Sequence, residues 1–219
     1  MYDNLLYTQT RRLLQTDSVN SKSMGVKIEQ NELNGKNKLS FEIIRFSKIV
    51  EKHQHLFEEI TIPPKTVLLH EGEISQQIFF VKQGALRLWT NHNGVDITFR
   101  FCFENEAASS FLGSEPSIFT IESIETSTVM AMKIRDFLML LDEMPEHKDV
   151  FINLLIKRLN DYGKLFLLRI TKNPEERYLD MMNNNPGILL RVPQHYIATY
   201  LGITPVSLSR IRNRVTKMK

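Results

Sequence analysis

Cysteine is nearly absent from this chain. Cys102 is the only one among 219 residues. No internal disulfide can form, and a four-cysteine iron–sulfur or zinc site is excluded within one chain. Long apolar runs are missing as well. Nothing approaches the roughly 18 consecutive residues of a membrane span, and the N-terminus has no apolar run of signal-peptide length. No membrane partner is expected, and the cytoplasm is the expected compartment. No Gly-rich phosphate loop and no nucleophile motif occurs. The six histidines (His53, His55, His70, His92, His147 and His195) suggest no axial pair for haem, so no cofactor and no metal site is expected.

Hydrophobic residues make up 42% of the sequence, enough for a sizeable core. The net charge is only +3, but its distribution is uneven. Residues 172–219 hold eight basic and three acidic residues, a net of +5, against −2 for residues 1–171. A localised basic segment is what phosphate binding requires, because each neutralised phosphate releases condensed counterions.

The chain changes period along its length. Residues 1–40 are polar and weakly patterned, a loosely held leader with a short helix expected near 5–14. Phe41, Ile44, Ile49, Leu56 and Phe57 suggest an amphipathic helix over 41–57. Between residues 60 and 131 short strands alternate with turn signals. Strands are expected at 66–70, 78–82, 85–90, 95–103 and 127–133, with turns at 71–73, 83–84 and 91–94. Many short strands with glycine-bearing turns indicate a jelly roll or barrel. Cys102, in one of those strands, reads as a small buried hydrophobe. Helix is expected at 134–143 and again, past Pro145, over 146–171. The second helix carries a broad stripe of Phe151, Leu154, Leu155, Leu159, Tyr162, Leu165, Phe166 and Leu168. Two such helices side by side would bury that stripe in a coiled-coil-like seam.

Residues 192–214 read as a helix-turn-helix. Ile197, Ala198 and Leu201 mark a first helix, and Ala198 is small where two helices would cross closely. Gly202 suits a turn with positive φ. Thr204 can cap a second helix with Pro205 at its first position. Val206, Leu208 (or Ser207 in its place) and Ile211 are expected on its buried side, and Arg210, Arg212 and Arg214 toward solvent. Such a motif lays its second helix in the major groove of DNA. Pro205, Val206, Ser207, Ser209 and Arg210 would approach base edges, with Arg210 the leading specificity residue. Gln194, Thr204, Ser207, Arg212 and Arg214 would touch phosphates. A helix at 175–183, a turn at 184–187 and a strand at 188–192 precede the motif, which suggests a winged variant.

Barrel, long helix and helix-turn-helix in this order resemble the cyclic-AMP receptor protein / fumarate-nitrate regulator (Crp/Fnr) family. The likeness covers about residue 41 to the C-terminus. It rests on Ile62-Pro63-Pro64-Lys65-Thr66-Val67-Leu68-Leu69-His70-Glu71-Gly72-Glu73, on Ile78-Phe79-Phe80-Val81-Lys82-Gln83-Gly84, and on the helix-turn-helix. The resemblance implies an α+β chain with a cyclic-nucleotide-binding-like β jelly-roll barrel (41–145), a long dimerisation helix (146–171) and a C-terminal winged helix-turn-helix domain (172–219). It implies a homodimeric transcription regulator, not an enzyme, with a palindromic DNA operator, a second copy of itself and RNA polymerase as partners. Cyclic-AMP-binding members carry a Gly-Glu pair and an arginine shortly after it. Here those positions fall near Ser109-Ser110 and Ile118-Phe119, and residues 107–125 contain no Arg or Lys. A buried phosphate without a guanidinium carries a large desolvation cost. Ser109, Ser110, Ile118, Phe119 and Tyr162 would line a pocket for an unknown small-molecule effector, and tight cyclic-AMP binding is not expected. The alternatives are a cupin-like metal enzyme using His70, Glu73 and His92, and an interaction module with a degenerate helix-turn-helix.

Overall fold

The computed structural model describes residues 51–110 and 114–217, with 145–147 as backbone alone. These residues fall within one compact unit, residues 39–219. The polar leader, its short helix and residues 41–50 lie outside the described residues. Of the helix expected over 41–57, Gln54–Leu56 is a single 3₁₀ turn, and Phe57 already begins a strand.

Among the described residues eight strands follow: β1 (Phe57–Ile62), β2 (Val67–Leu69), β3 (Gln77–Gln83), β4 (Leu86–His92), β5 (Val95–Cys102), β6 (Ala107–Ala108), β7 (Thr120–Ser123) and β8 (Ser127–Lys133). They form two antiparallel four-stranded sheets, ordered β1-β8-β3-β6 and β2-β7-β4-β5. Six helices come next: α1 (Ile134–Glu143), α2 (Pro145–Thr171), α3 (Pro174–Asn184), α4 (Pro186–Arg191), α5 (Gln194–Leu201) and α6 (Pro205–Lys217).

Period-2 alternation explains why both faces of the central strands are apolar. In β3, Phe79 and Val81 point into the barrel with Leu86, Leu88 and Val129. Ile78 and Phe80 point outward, where they pack with Met132 under Phe137, Leu140 and Leu141 of α1. The second sheet is covered differently. Ala85, Phe101 and Ile124 of its outer side share a buried cluster with Tyr178, Met181, Tyr196, Ile197, Ala198, Leu208 and Ile211. The C-terminal helices thus build their core directly on the barrel wall.

Gly84 turns β3 into β4 at φ +95°, and a Cβ there would lie 2.7 Å from the Ser127 Cα. Only glycine satisfies both the dihedral and the approach. The expected strand at 188–192 is not formed. Pro186 occupies the first turn of α4, and the Val192 N–H donates to the Ile188 carbonyl at 2.9 Å. Proline pre-sets the helical φ and Leu189 and Leu190 favour helix, which outweighs the β-branched ends of this short run. Among the described residues no strand accompanies the helix-turn-helix, so the expected wing is absent there.

Candidate nucleic-acid interface

The helix-turn-helix is α5, the Gly202 turn and α6. Gly202 sits at φ +67° and closes α5 through its N–H to the carbonyls of Ala198 and Thr199. Thr204 caps α6: its Oγ1 accepts the Ser207 N–H at 3.1 Å, and the Ser207 and Thr204 hydroxyls lie 3.0 Å apart. Leu208, Ile211 and Val215 are the buried residues of α6, spaced three and four apart. Val206 is not among them. It lies about half a turn from that stripe and is 61% exposed, contrary to the expectation that it packs inward. Pro205, Ser209, Arg210 and Arg214 are exposed beside it, as is Gln194 at the start of α5, while Arg212 and Ser207 are partly covered.

Much of the basic charge of the C-terminal segment is used inside the molecule. Arg177 donates to the carbonyl of Arg169 at 3.1 Å and to that of Leu201 at 2.9 Å, tying the ends of α2 and α5 together. Arg169 donates to the Tyr200 carbonyl at 3.0 Å. Arg191 grips Glu104 through two N–H groups at 2.8 Å each and also bonds Glu125. Those bonds hold the Glu104 carboxyl down to about 2. Arg214 donates through Nε and Nη2 to Glu175. A charge count along the sequence cannot distinguish these internal partners from a free basic face.

The motif is fastened to the barrel by a second cluster. Arg87 of β4 is 3% exposed. It donates to Glu122 of β7 at 2.9 Å and to Asp96 at 3.3 Å. Its guanidinium lies 4.5 Å from the Trp89 ring and 3.8 Å from the Tyr196 ring of α5. Burial pushes the Tyr196 hydroxyl up from its ordinary value. Thr98 and Thr199 hydroxyls meet at 2.9 Å, and the rings of Phe101 and Tyr200 lie 5.3 Å apart. The contacts from Arg87, Thr98 and Phe101 to α5 are not visible in local sequence patterns, because they join residues about a hundred positions apart.

The residues expected to line an effector pocket are dispersed. Ser110 and Phe119 are buried, Phe119 against Phe99 at 5.1 Å, whereas the neighbouring Ile118 is 65% exposed. The Ser109 hydroxyl points to the Gln77 carbonyl at 3.5 Å. Tyr162 of α2 lies against Arg100 of β5, a residue that sequence reasoning passed over. A register shift between Leu88 and Trp89 leaves Phe99 without a partner on β4; Arg100 shares a face with Cys102, two residues on, and both approach the Ala107 carbonyl. Arg100 also bonds Glu106 at 3.3 Å. Burial pushes the Cys102 thiol up to about 12, as expected of a packed thiol.

Along α2, the expected seam is partly exposed. Leu155, Leu159, Tyr162 and Phe166 face solvent with Ile152, Ile156 and Ile170, which were not singled out from the sequence. Leu154 and Leu165 are half-buried. Phe151 is also half-buried, its ring 5.0 Å from Phe137 of α1. Being near the start of α2, it turns partly toward α1.

Among the described residues no three His, Cys, Asp or Glu side chains gather where they can hold a metal ion. Glu73 instead accepts the His70 backbone N–H at 2.9 Å, an ordinary turn contact. No described helix is long and apolar enough to cross a membrane.

Residues 59–144 match the cyclic nucleotide-binding domain family. No curated protein matches the chain. Several solved structures do. A CooA mutant from Carboxydothermus hydrogenoformans is 18% identical, covers 78% of this chain and 84% of its own, and superposes with a TM-score of 0.64. FixK2 from Bradyrhizobium japonicum is 19% identical over 74% of this chain and 85% of its own, also with a TM-score of 0.64. The c-di-GMP responsive global regulator CLP of Xanthomonas campestris is 13% identical over 78% and 92%, again at 0.64. The barrel thus has the fold of the cyclic nucleotide-binding domain family that it matches, and the chain shares the fold of CooA, FixK2 and CLP.

Proposed function

We propose that this protein is a homodimeric, sequence-specific DNA-binding regulator of transcription, working in the cytoplasm. The observation that carries the reading is the geometry of α6. Its capped N-terminus presents Val206, Ser209 and Arg210 to solvent while Leu208, Ile211 and Val215 anchor the opposite side. That is the arrangement by which a recognition helix offers its first turns to base edges. Arg210 is the residue for guanine, and Val206 suits a thymine methyl. Pro205 stands beside them at the base edges, and Thr204, Ser207, Gln194 and Arg212 lie around the contact and fix its register on the backbone.

The second copy docks along α2. Leu159 is 73% exposed, and the apolar positions Ile152, Leu155, Leu159, Tyr162, Phe166 and Ile170 recur at three and four residues. A matching helix buries such a stripe. A two-fold dimer then calls for a palindromic operator, and RNA polymerase is the partner such a regulator addresses. The barrel lacks the residues for the cyclic-AMP phosphate and serves an unknown effector or none. Residues 107–125 hold no Lys or Arg, and Arg100, which faces the same side as Cys102, is already bonded to Glu106 and the Ala107 carbonyl.

Fluorescence anisotropy of a labelled duplex tests the reading. Between about 50 and 200 mM salt, affinity is expected to fall steeply, with a slope set by the number of phosphates neutralised. Binding that is absent, or independent of salt, overturns it.

A further inference from the structure

A groove of about 720 Å³ separates the start of α3 from α6, lined by Asn173, Glu175, Ser207, Arg210 and Arg214. Two acids open α3, and they do different work. Glu176 completes the capping box, its carboxylate accepting the Asn173 N–H at 2.8 Å. The Glu175 N–H is itself satisfied by the Asn173 side chain at 3.0 Å, so the Glu175 carboxylate is not needed by the cap. It turns instead to α6. Its Oε2 accepts both Nε, at 3.0 Å, and Nη2 of Arg214. That pair of N–H groups is the edge of the guanidinium that grips a phosphate side-on. The Arg214 side chain is 57% exposed and Glu175 29%, so the pair sits at the rim of the recognition helix rather than in the core.

We infer that Glu175 is an internal competitor for DNA phosphate, which holds down the contribution of Arg214 and so sets the affinity of the recognition helix. This rests on the DNA-binding reading above. A paired Arg214 carries no net charge to the duplex and releases no counterion when DNA arrives. A phosphate must displace the carboxylate first. Arg210, exposed one turn earlier in the same groove, keeps its role in reading bases.

The test is a double-mutant cycle on the full chain, read by anisotropy of a labelled duplex over a salt series. Glu175→Gln keeps the shape and leaves Asn173 and Glu176 to cap α3, so its thermal midpoint stays close to that of the wild type. It is expected to bind about two- to fivefold more tightly at low salt and to steepen the salt slope by about 0.9. Arg214→Ala leaves the Glu175 carboxylate unpaired beside the duplex and is expected to weaken binding. The double variant Arg214→Ala/Glu175→Gln carries the same local net charge as the paired wild type and is expected to bind no more tightly than the wild type. A weaker Glu175→Gln complex means that Glu175 orients Arg214 for DNA, and it overturns the inference. So does an unchanged complex, or a double variant that keeps the full gain over the wild type. If the wild type itself shows no salt-dependent binding, the DNA-binding reading falls and takes this inference with it. Salt-dependent wild-type binding with an unchanged Glu175→Gln removes only the competitor role.

Discussion

Replacing Arg87 by methionine is expected to be among the most damaging single changes in the barrel. The guanidinium is buried between Trp89 and Tyr196 and pairs with Glu122, whose side chain is 8% exposed. Asp96, at 3.3 Å and 37% exposed, is a weaker partner. Arg87→Met keeps most of the apolar contact but leaves the Glu122 carboxylate buried and uncompensated. Breaking a buried pair in this way costs about 3–5 kcal/mol. With a urea m-value of about 2 kcal/mol/M, the unfolding midpoint falls by about 2 M. Trp89 is the only tryptophan of the chain, and its ring is 4.5 Å from the guanidinium, so its fluorescence reports the transition at the right place. The double variant Arg87→Met/Glu122→Leu removes both charges and should recover most of the loss, because an apolar pair of similar volume avoids desolvation. A single-variant loss under about 1 kcal/mol, the range of an exposed pair, refutes the reasoning. A double variant no more stable than the single one does the same.

Three further outcomes follow from the geometry. Glu104 is held down to about 2 by the hydrogen bonds from Arg191. Its stabilisation is therefore full above its ordinary value of 4.5 and is lost as pH falls toward about 2. Because the side chain is about one-third exposed, screening limits the effect to about 1 kcal/mol; urea midpoints across that window should drop in the wild type and drop less in Glu104→Gln. Gly84→Ala combines a positive φ with a backbone collision at Ser127 and should lose at least about 2 kcal/mol in the same assay, where a tolerant site would lose under 1. Leu159→Glu together with Phe166→Glu places charges in the α2 stripe and should halve the mass seen by sedimentation while leaving the far-ultraviolet circular dichroism unchanged.

The parts of the fold that depend on local rules were legible in the sequence. The boundaries of α1 coincide with the expected 134–143, and Gly84 and Gly202 stand at the expected turns with positive φ. The helix-turn-helix is legible because caps, small residues and apolar spacing agree over twenty residues. Strand β7 is the opposite case. Thr120, Glu122 and Ser123 are polar yet buried, because Glu122 meets Arg87 and Ser123 bonds the Pro63 carbonyl at 2.6 Å. Hydropathy cannot find such a strand. β1 is polar for another reason: it lies at a sheet edge, with Glu58 and Glu59 exposed. The candidate site divides in the same way. Thr204 and Arg210 stand where the motif puts them. The pairing of Arg214 with Glu175, 39 residues away, and of Arg191 with Glu104 and Glu125 required the folded chain.

The most direct test of the DNA-reading role is selection of bound sequences from a random duplex pool by the full chain. The account predicts enrichment of a palindrome whose half-sites are centred about one helical turn apart, about 34 Å, with loss of preference at one position per half-site in Arg210→Ala. A pool that stays random through successive rounds, or an enriched motif that Arg210→Ala leaves intact, contradicts it.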